Sequence, residues 1–212
     1  LVAAVSNTGA IGSFGFAYSN AEKIDSDLSE ARKLTDKPIN ANFFVFPDQH
    51  TLSDKDYKIA NDVLESLPLS SVTSYQSLSA PFFPSLERQL EPIWKHKPEF
   101  ITFHFGLPPK HILQKVQSLG IYVGVTATCL EEAMAIQNRG ADFVVAQGIE
   151  AGGHRGTFFV EGKEDQKLPT FELLKVLKGQ CVLPIVCAGG IMNGGDIVTY
   201  LNEGAIAVQM GT

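Results

Sequence analysis

Asp142-Phe143-Val144-Val145-Ala146-Gln147-Gly148-Ile149-Glu150-Ala151-Gly152-Gly153-His154-Arg155-Gly156 decides how the rest of the chain is read. Its opening residues form a short apolar run, the pattern of a buried strand. Four glycines then fall within nine residues, with a histidine and an arginine between the last two. Glycine lets the backbone take conformations closed to other residues and lets a ligand come close to it. An imidazole held in such a loop is a candidate acid or base near neutral pH. The same spacing also suits a flexible surface turn with a solvated His-Arg pair, so the neighbouring segments have to decide.

Outward from this loop, strands alternate with helices. Strands are expected near residues 11, 39, 100, 121, 142, 184 and 205, seven in all. Helices are expected over Leu1–Ser6, Ser26–Leu34, a segment with Ile59, Ala60, Val63, Leu64 and Leu67, one with Leu86, Leu90, Ile93 and Trp94, and one with Ile112, Leu113, Val116 and Leu119. Ser53 and Asp56, and Thr128 and Glu131, have capping-box spacing. Thr170 is placed to cap a helix with Leu173, Leu174 and Leu177, and Asn193–Asn202 forms the last helix. Ser70–Ser79 reads as a loop and Thr157–Leu168 as an excursion, a short hairpin or lid.

This alternation predicts an α/β fold with a parallel sheet. A doubly wound sheet could hold seven strands, but the placement of the polar residues favours an eight-stranded β/α barrel of the TIM type. In that fold ligand groups sit at the C-terminal ends of the strands, with a phosphate often bound after the last two. Here Asn42, His104, Gln147-Gly148, Gly189-Gly190 and Gln209-Gly211-Thr212 all fall at strand ends. Gly189-Gly190 would let the backbone approach an anion at a helix N-terminus, and Gly211-Thr212 would add amides and a hydroxyl. The eighth strand would precede Leu1, so residues 1–212 are expected to form one incomplete barrel domain.

Bulk properties exclude several classes. The 212 residues are 44% apolar and 19% charged, an ordinary globular balance. Net charge is −6 with no basic stripe, which argues against nucleic acid. No run approaches the roughly 18 apolar residues of a membrane span. Cys129, Cys181 and Cys187 form no C-x-x-C pair, so neither a disulfide framework nor a zinc site is expected, and a reducing, cytoplasmic setting fits. Neither a G-x-G-x-x-G after a strand nor a G-x-S-x-G elbow is present. His104 and His154 have no carboxylate cluster to complete a metal site.

Five segments in order carry a family resemblance: Asn40-Ala41-Asn42-Phe43-Phe44, His104-Phe105-Gly106-Leu107-Pro108, Gln147 to Gly156, Cys187-Ala188-Gly189-Gly190-Ile191 and Gln209-Met210-Gly211-Thr212. Together they resemble the FMN-dependent nitronate monooxygenases, formerly 2-nitropropane dioxygenases. The resemblance runs along nearly the whole chain. It implies a flavoprotein that oxidises an alkyl nitronate or nitroalkane with O2 to a carbonyl compound and nitrite. It implies His154 as the catalytic base, and Asn42, Gln147, Gly152, Gly190, Gln209, Met210, Gly211 and Thr212 as FMN contacts, with Asn42 preferred to Asn40. Propionate 3-nitronate is the family-level substrate. Family members begin with a strand and a glycine-rich flavin loop and continue beyond the Gln-x-Gly-Thr run, so the resemblance implies a chain shortened at both ends. The competing readings are an FMN-dependent enoyl-acyl-carrier-protein reductase, against which Gln147 and Arg155 weigh, and a non-catalytic FMN-binding barrel. The oligomeric state stays open.

Overall fold

The structure, a computed structural model, describes residues 1–46, 53–66, 83–158 and 165–211. Elements follow the expected alternation: α1 (Val2–Asn7), β1 (Gly12–Gly15), α2 (Ala21–Leu34), β2 (Ile39–Phe44), α3 (Asp54–Ser66), α4 (Leu86–His96), β3 (Phe100–His104) and α5 (Lys110–Ser118). Then come β4 (Tyr122–Ala127), α6 (Leu130–Arg139), β5 (Phe143–Gln147), α7 (Thr170–Lys178), β6 (Ile185–Ala188), α8 (Gly194–Glu203) and β7 (Ala207–Gln209).

Among the described residues the strands form one seven-stranded sheet in the order β1-β2-β3-β4-β5-β6-β7, and every pairing is parallel. A doubly wound sheet would reverse its strand order at a switch point. This order never reverses, so the sheet is that of a β/α barrel, curled, with β1 and β7 as its two edges.

Strand alternation builds two chemically different faces. Ile39, Ala41 and Phe43 of β2, Ile101 and Phe103 of β3, and Val123, Val125 and Ala127 of β4 are fully buried in the apolar core. Val144 and Ala146 of β5 and Cys187 of β6 continue that layer, and burial pushes the Cys187 thiol up to about 12, which leaves it inert. The alternate positions share the concave face. At its N-terminal end Phe100 stacks on Tyr122, ring centroids 5.6 Å apart, and meets the edge of Phe143 at 6.2 Å. A Cβ on Gly124 would lie 2.1 Å from the Phe143 ring, so the glycine makes room for this aromatic floor. Above it come Asn40, Asn42 and Thr102, then His104, Thr126 and Gln147.

Several local expectations change. α2 starts at Ala21, because Asn20 caps it by accepting from the Lys23 amide at 2.9 Å. Ser53 and Asp56 do cap α3, but Ile59 and Val63 on that helix are exposed and none of its residues is buried. Glu132, not Glu131, closes onto Thr128, accepting from its amide at 2.6 Å and its hydroxyl at 2.9 Å. Pro169 occupies the cap position of α7, which frees the Thr170 side chain for other partners. Leu67, the Ser70–Ser79 loop and residues 159–164 of the excursion lie outside the described residues. No helix among the described residues is long and apolar enough to cross a membrane.

Candidate active site

β3, β4 and β5 deliver three polar side chains to the C-terminal mouth of the sheet: His104, Thr126 and Gln147. His104 and Gln147 are each 8% exposed. The His104 ring lies 3.0 Å (Nδ1) from the Thr126 hydroxyl and 3.2 Å (Nε2) from the backbone oxygen of His154. A carbonyl only accepts, so Nε2 carries the proton and Nδ1 accepts from Thr126. Gln147 spans the same loop. Its amide nitrogen donates to the His154 carbonyl at 3.2 Å, and its oxygen accepts from the Gly156 amide at 2.6 Å. Gly156 packs so closely that a Cβ there would sit 2.5 Å from His104 Cε1.

Burial pushes the His104 imidazole below its ordinary value of 6.5; the bond to the His154 carbonyl works the other way, and charge on His154 adds to the lowering. The unfolded chain takes up a proton below pH 6.5 that folded His104 refuses, so stability is unaffected by this group above 6.5 and falls as pH drops beneath it. Replacing His104 by Gln removes that titration. Urea unfolding midpoints of the variant are expected to fall less steeply than those of the parent as pH drops below 6.5.

The His154 side chain is exposed. Its ring meets Phe44 edge-on at 5.6 Å and Phe105 at 5.7 Å. Phe44 is in phase with Asn40 and Asn42 on β2 and stacks against His104 at 5.4 Å. Phe105 packs against Phe44 at 4.8 Å and His104 at 4.6 Å, although its φ of 67° is a left-handed conformation that costs a bulky residue about 1 kcal/mol or more. Tyr18, Phe46 and Phe83 extend this aromatic wall. The loop from β5 therefore crosses β4 and lays His154 over the ends of β2 and β3.

The glycine-rich ends of β6 and β7 lie on the other side of the mouth. Register sets Ala188 beside Gln147 on one flank and beside Gln209 on the other. Gly189 and Gly190 follow Ala188 with φ of 109° and 69°, values that favour glycine. Thr170 closes the underside. Its amide donates to Glu150 Oε2 at 2.8 Å, and its hydroxyl lies within 3.1 Å of Glu150 Oε2 and the carbonyls of Ala188 and Gly189. A Cβ on Gly148 would lie 2.2 Å from the Thr170 nitrogen, so the loop after β5 and the start of α7 need that glycine to meet.

The helix N-terminus expected to receive an anion is already occupied. Asn193 accepts from the amides of Gly195 and Asp196, and the Asp196 carboxylate accepts from those of Met192 and Asn193. The start of α8 is thus capped by its own side chains, and of the expected anion site the Gly189-Gly190 backbone remains.

The structure thus brings Gln147, Gly190 and Gln209 to neighbouring strand ends. Gly152, Met210 and Gly211 are exposed, and Gly152 would accept a Cβ without contact. Asn42 lies across the mouth, its amide donating to Thr102 Oγ1 at 2.9 Å. Asn40 donates to Ser13 Oγ at 2.8 Å and to the same Thr102 oxygen at 2.9 Å, while its own carbonyl oxygen is buried without a partner. Thr212 lies outside the described residues. No cluster of three metal-ligating side chains exists among the described residues. Sequence reasoning missed the aromatic wall and the contact between His104 and the His154 backbone. Strand phase alone, with Phe44 two residues beyond Asn42, signals the first. Nothing local signals the second, because the partners are 50 residues apart.

Comparison with known proteins agrees with this architecture. The nitronate monooxygenase family model matches residues 1–212. The chain is 42% identical over 218 residues to a nitronate monooxygenase of Pseudomonas aeruginosa, covering 100% of this chain and 61% of that protein. It is 38% identical over 223 residues to one of Paraburkholderia phytofirmans, covering 100% of this chain and 58% of that protein. A solved nitroalkane oxidase from Streptomyces ansochromogenes superposes with a TM-score of 0.81 at 30% identity, over 99% of this chain and 60% of the other. The chain therefore spans about three fifths of the length of these relatives.

Proposed function

The chain belongs to the nitronate monooxygenase family, and on that premise we propose that it forms the catalytic barrel of an FMN-dependent enzyme. The enzyme oxidises alkyl nitronates, and nitroalkanes after deprotonation, with O2 to a carbonyl compound and nitrite. One observation carries the reading. Of the two imidazoles at the mouth, His104 has both ring nitrogens engaged, whereas the His154 ring is exposed over an apolar floor of Phe44 and Phe105. A base must meet the proton it removes. His154 is the imidazole placed to do so.

The residues present fit a flavin mononucleotide. The mouth offers neutral amides at Asn42, Gln147 and Gln209, which bond a heterocycle's rim without imposing charge. The orphaned Asn40 oxygen leaves one acceptor in the lumen still to be satisfied. Gly152, Gly190, Met210, Gly211 and Thr212 complete the set assigned to the cofactor, and the glycine backbone after β6 would suit its phosphate. Bound FMN would supply the electron-transfer chemistry between nitronate and O2. The chain's own part is to hold the substrate over Phe44 and Phe105, take the carbon-bound proton onto the His154 imidazole and keep that imidazole in place.

The visible spectrum of the full-length protein tests this reading. A flavin spectrum that NAD(P)H leaves unchanged without oxygen is the expected result; rapid anaerobic bleaching by NAD(P)H would support the enoyl-acyl-carrier-protein reductase. Replacing Gly190 by Ala forces a side chain into a left-handed φ of 69° with its Cβ 2.9 Å from that of Glu150. FMN affinity measured by flavin fluorescence is expected to fall about tenfold or more, the equivalent of about 1.4 kcal/mol.

A further inference from the structure

We infer that His104 and Gln147 are positioning residues that fix the backbone of His154, and through it the imidazole; the catalytic part of this inference rests on the reading of His154 as the base. Two N–H groups from different strands, His104 Nε2 and Gln147 Nε2, converge on the one carbonyl oxygen of His154. Gln147 also accepts from Gly156, so a single side chain ties both sides of Arg155. The clamp is braced in turn. Thr126 holds the far nitrogen of His104, Phe44 and Phe105 pack against its ring, and Gly156 touches its edge. Beyond the loop, Glu132 Oε1 accepts from the Phe158 amide at 2.8 Å, and Arg155 pairs with Asp165.

The arrangement has a specific consequence. Three hydrogen bonds tie His104 Nε2 and the Gln147 amide to the loop's main chain and leave the His154 ring exposed, while Gln147 keeps a second N–H for the flavin rim. A glycine-rich segment has the greatest conformational freedom to lose, so without these bonds the residues around His154 would sample many positions. Misplacing a reacting group by about 1 Å costs on the order of a hundredfold in rate. Orientation of the base matters for taking a proton from carbon; it matters little for a nitronate that has already lost that proton.

Two measurements on the full-length protein carrying FMN test the clamp. The first compares kcat/KM for a neutral nitroalkane and for its preformed nitronate. His104→Leu, which removes one donor, and Gln147→Leu, which removes the spanning amide, are expected to lose about a hundredfold with the nitroalkane and only a few fold with the nitronate. His104→Gln, whose amide N–H reaches the same carbonyl, is expected to recover most of the loss. The second follows hydrogen exchange at the Gly156 amide, which should quicken tenfold or more in Gln147→Leu while the amides of Val123 and Val125 in β4 stay protected. Equal losses with both substrates and unchanged exchange at Gly156 would overturn the clamp. Failure of His104→Gln to recover nitroalkane turnover would overturn the role of His104. If the parent protein turned over neither substrate, the functional reading would fail, and exchange at Gly156 would still decide the clamp.

Discussion

Replacing His154 by Asn is expected to lower kcat/KM for a neutral nitroalkane about a thousandfold, within the range ascribed to a positioned general base. With the preformed nitronate the expected loss is about tenfold or less. The split follows from the chemistry of the two substrates. A nitroalkane must lose a proton from carbon before it can be oxidised, and on the proposed reading the exposed His154 ring receives it. The nitronate arrives already ionised, so for it the histidine can only orient. Asparagine keeps a polar side chain of similar reach but cannot take the proton, and the backbone held by His104 and Gln147 is untouched. Stopped-flow reduction of the flavin with each substrate form reads the two losses separately. Equal losses would remove the base assignment.

Replacing Gly156 by Ala is expected to damage both the fold and turnover. The new Cβ would lie 2.5 Å from His104 Cε1, 2.6 Å from its Nδ1 and 2.8 Å from Thr126 Cγ2. None of these atoms is the loose end of a flexible chain. The His104 ring is packed between Phe44 and Phe105 and bonded at both nitrogens, so relief must come from the loop. Overpacking of this kind costs about 1–3 kcal/mol, read as a lower urea midpoint. Movement of the loop also breaks the bond from the Gly156 amide to Gln147 and displaces His154, so nitroalkane turnover should fall about a hundredfold. A Gly152→Ala change makes the contrast, because its Cβ meets nothing within 4 Å and the fold should tolerate it.

Much of the barrel is legible in the chain because each strand announces itself locally. Ile39, Ala41 and Phe43 alternate with Asn40, Asn42 and Phe44, and burial follows that alternation. Pro184 and Gly189-Gly190 bracket β6, and Asn193 marks the start of α8 with the capping box that Asp196 completes. What local sequence does not reveal is partnership across the fold. Glu131 and Glu132 sit at equally plausible offsets from Thr128, and in the structure Glu132 accepts from both the Thr128 and the Phe158 amides, a partnership that reaches across 26 residues. Thr170 resembles a cap by residue type, yet its hydroxyl is claimed by Glu150 and the end of β6. The amphipathic pattern of α3 predicts burial of Ile59 and Val63, but a pattern describes a face and not what covers it.

The candidate site shows the same division. His154, Gln147 and Gly190 stand out in sequence because glycine-rich loops at strand ends are where barrels do chemistry. His104 stands out only as a polar strand end, and its bond to the His154 carbonyl required two segments 50 residues apart to meet. The self-capped start of α8 is a warning of the opposite kind. A glycine pair before a helix reads as an anion site, but the helix amides of Gly195 and Asp196 are taken by Asn193, which leaves only the Gly189-Gly190 backbone for that role.

Nitrite release and oxygen uptake by the full-length protein carrying FMN, given a preformed alkyl nitronate and no nicotinamide, test the account most directly. Nitrite is expected to form as oxygen is consumed. Absence of nitrite with the flavin fully bound, together with turnover of an NAD(P)H-dependent kind, would contradict it.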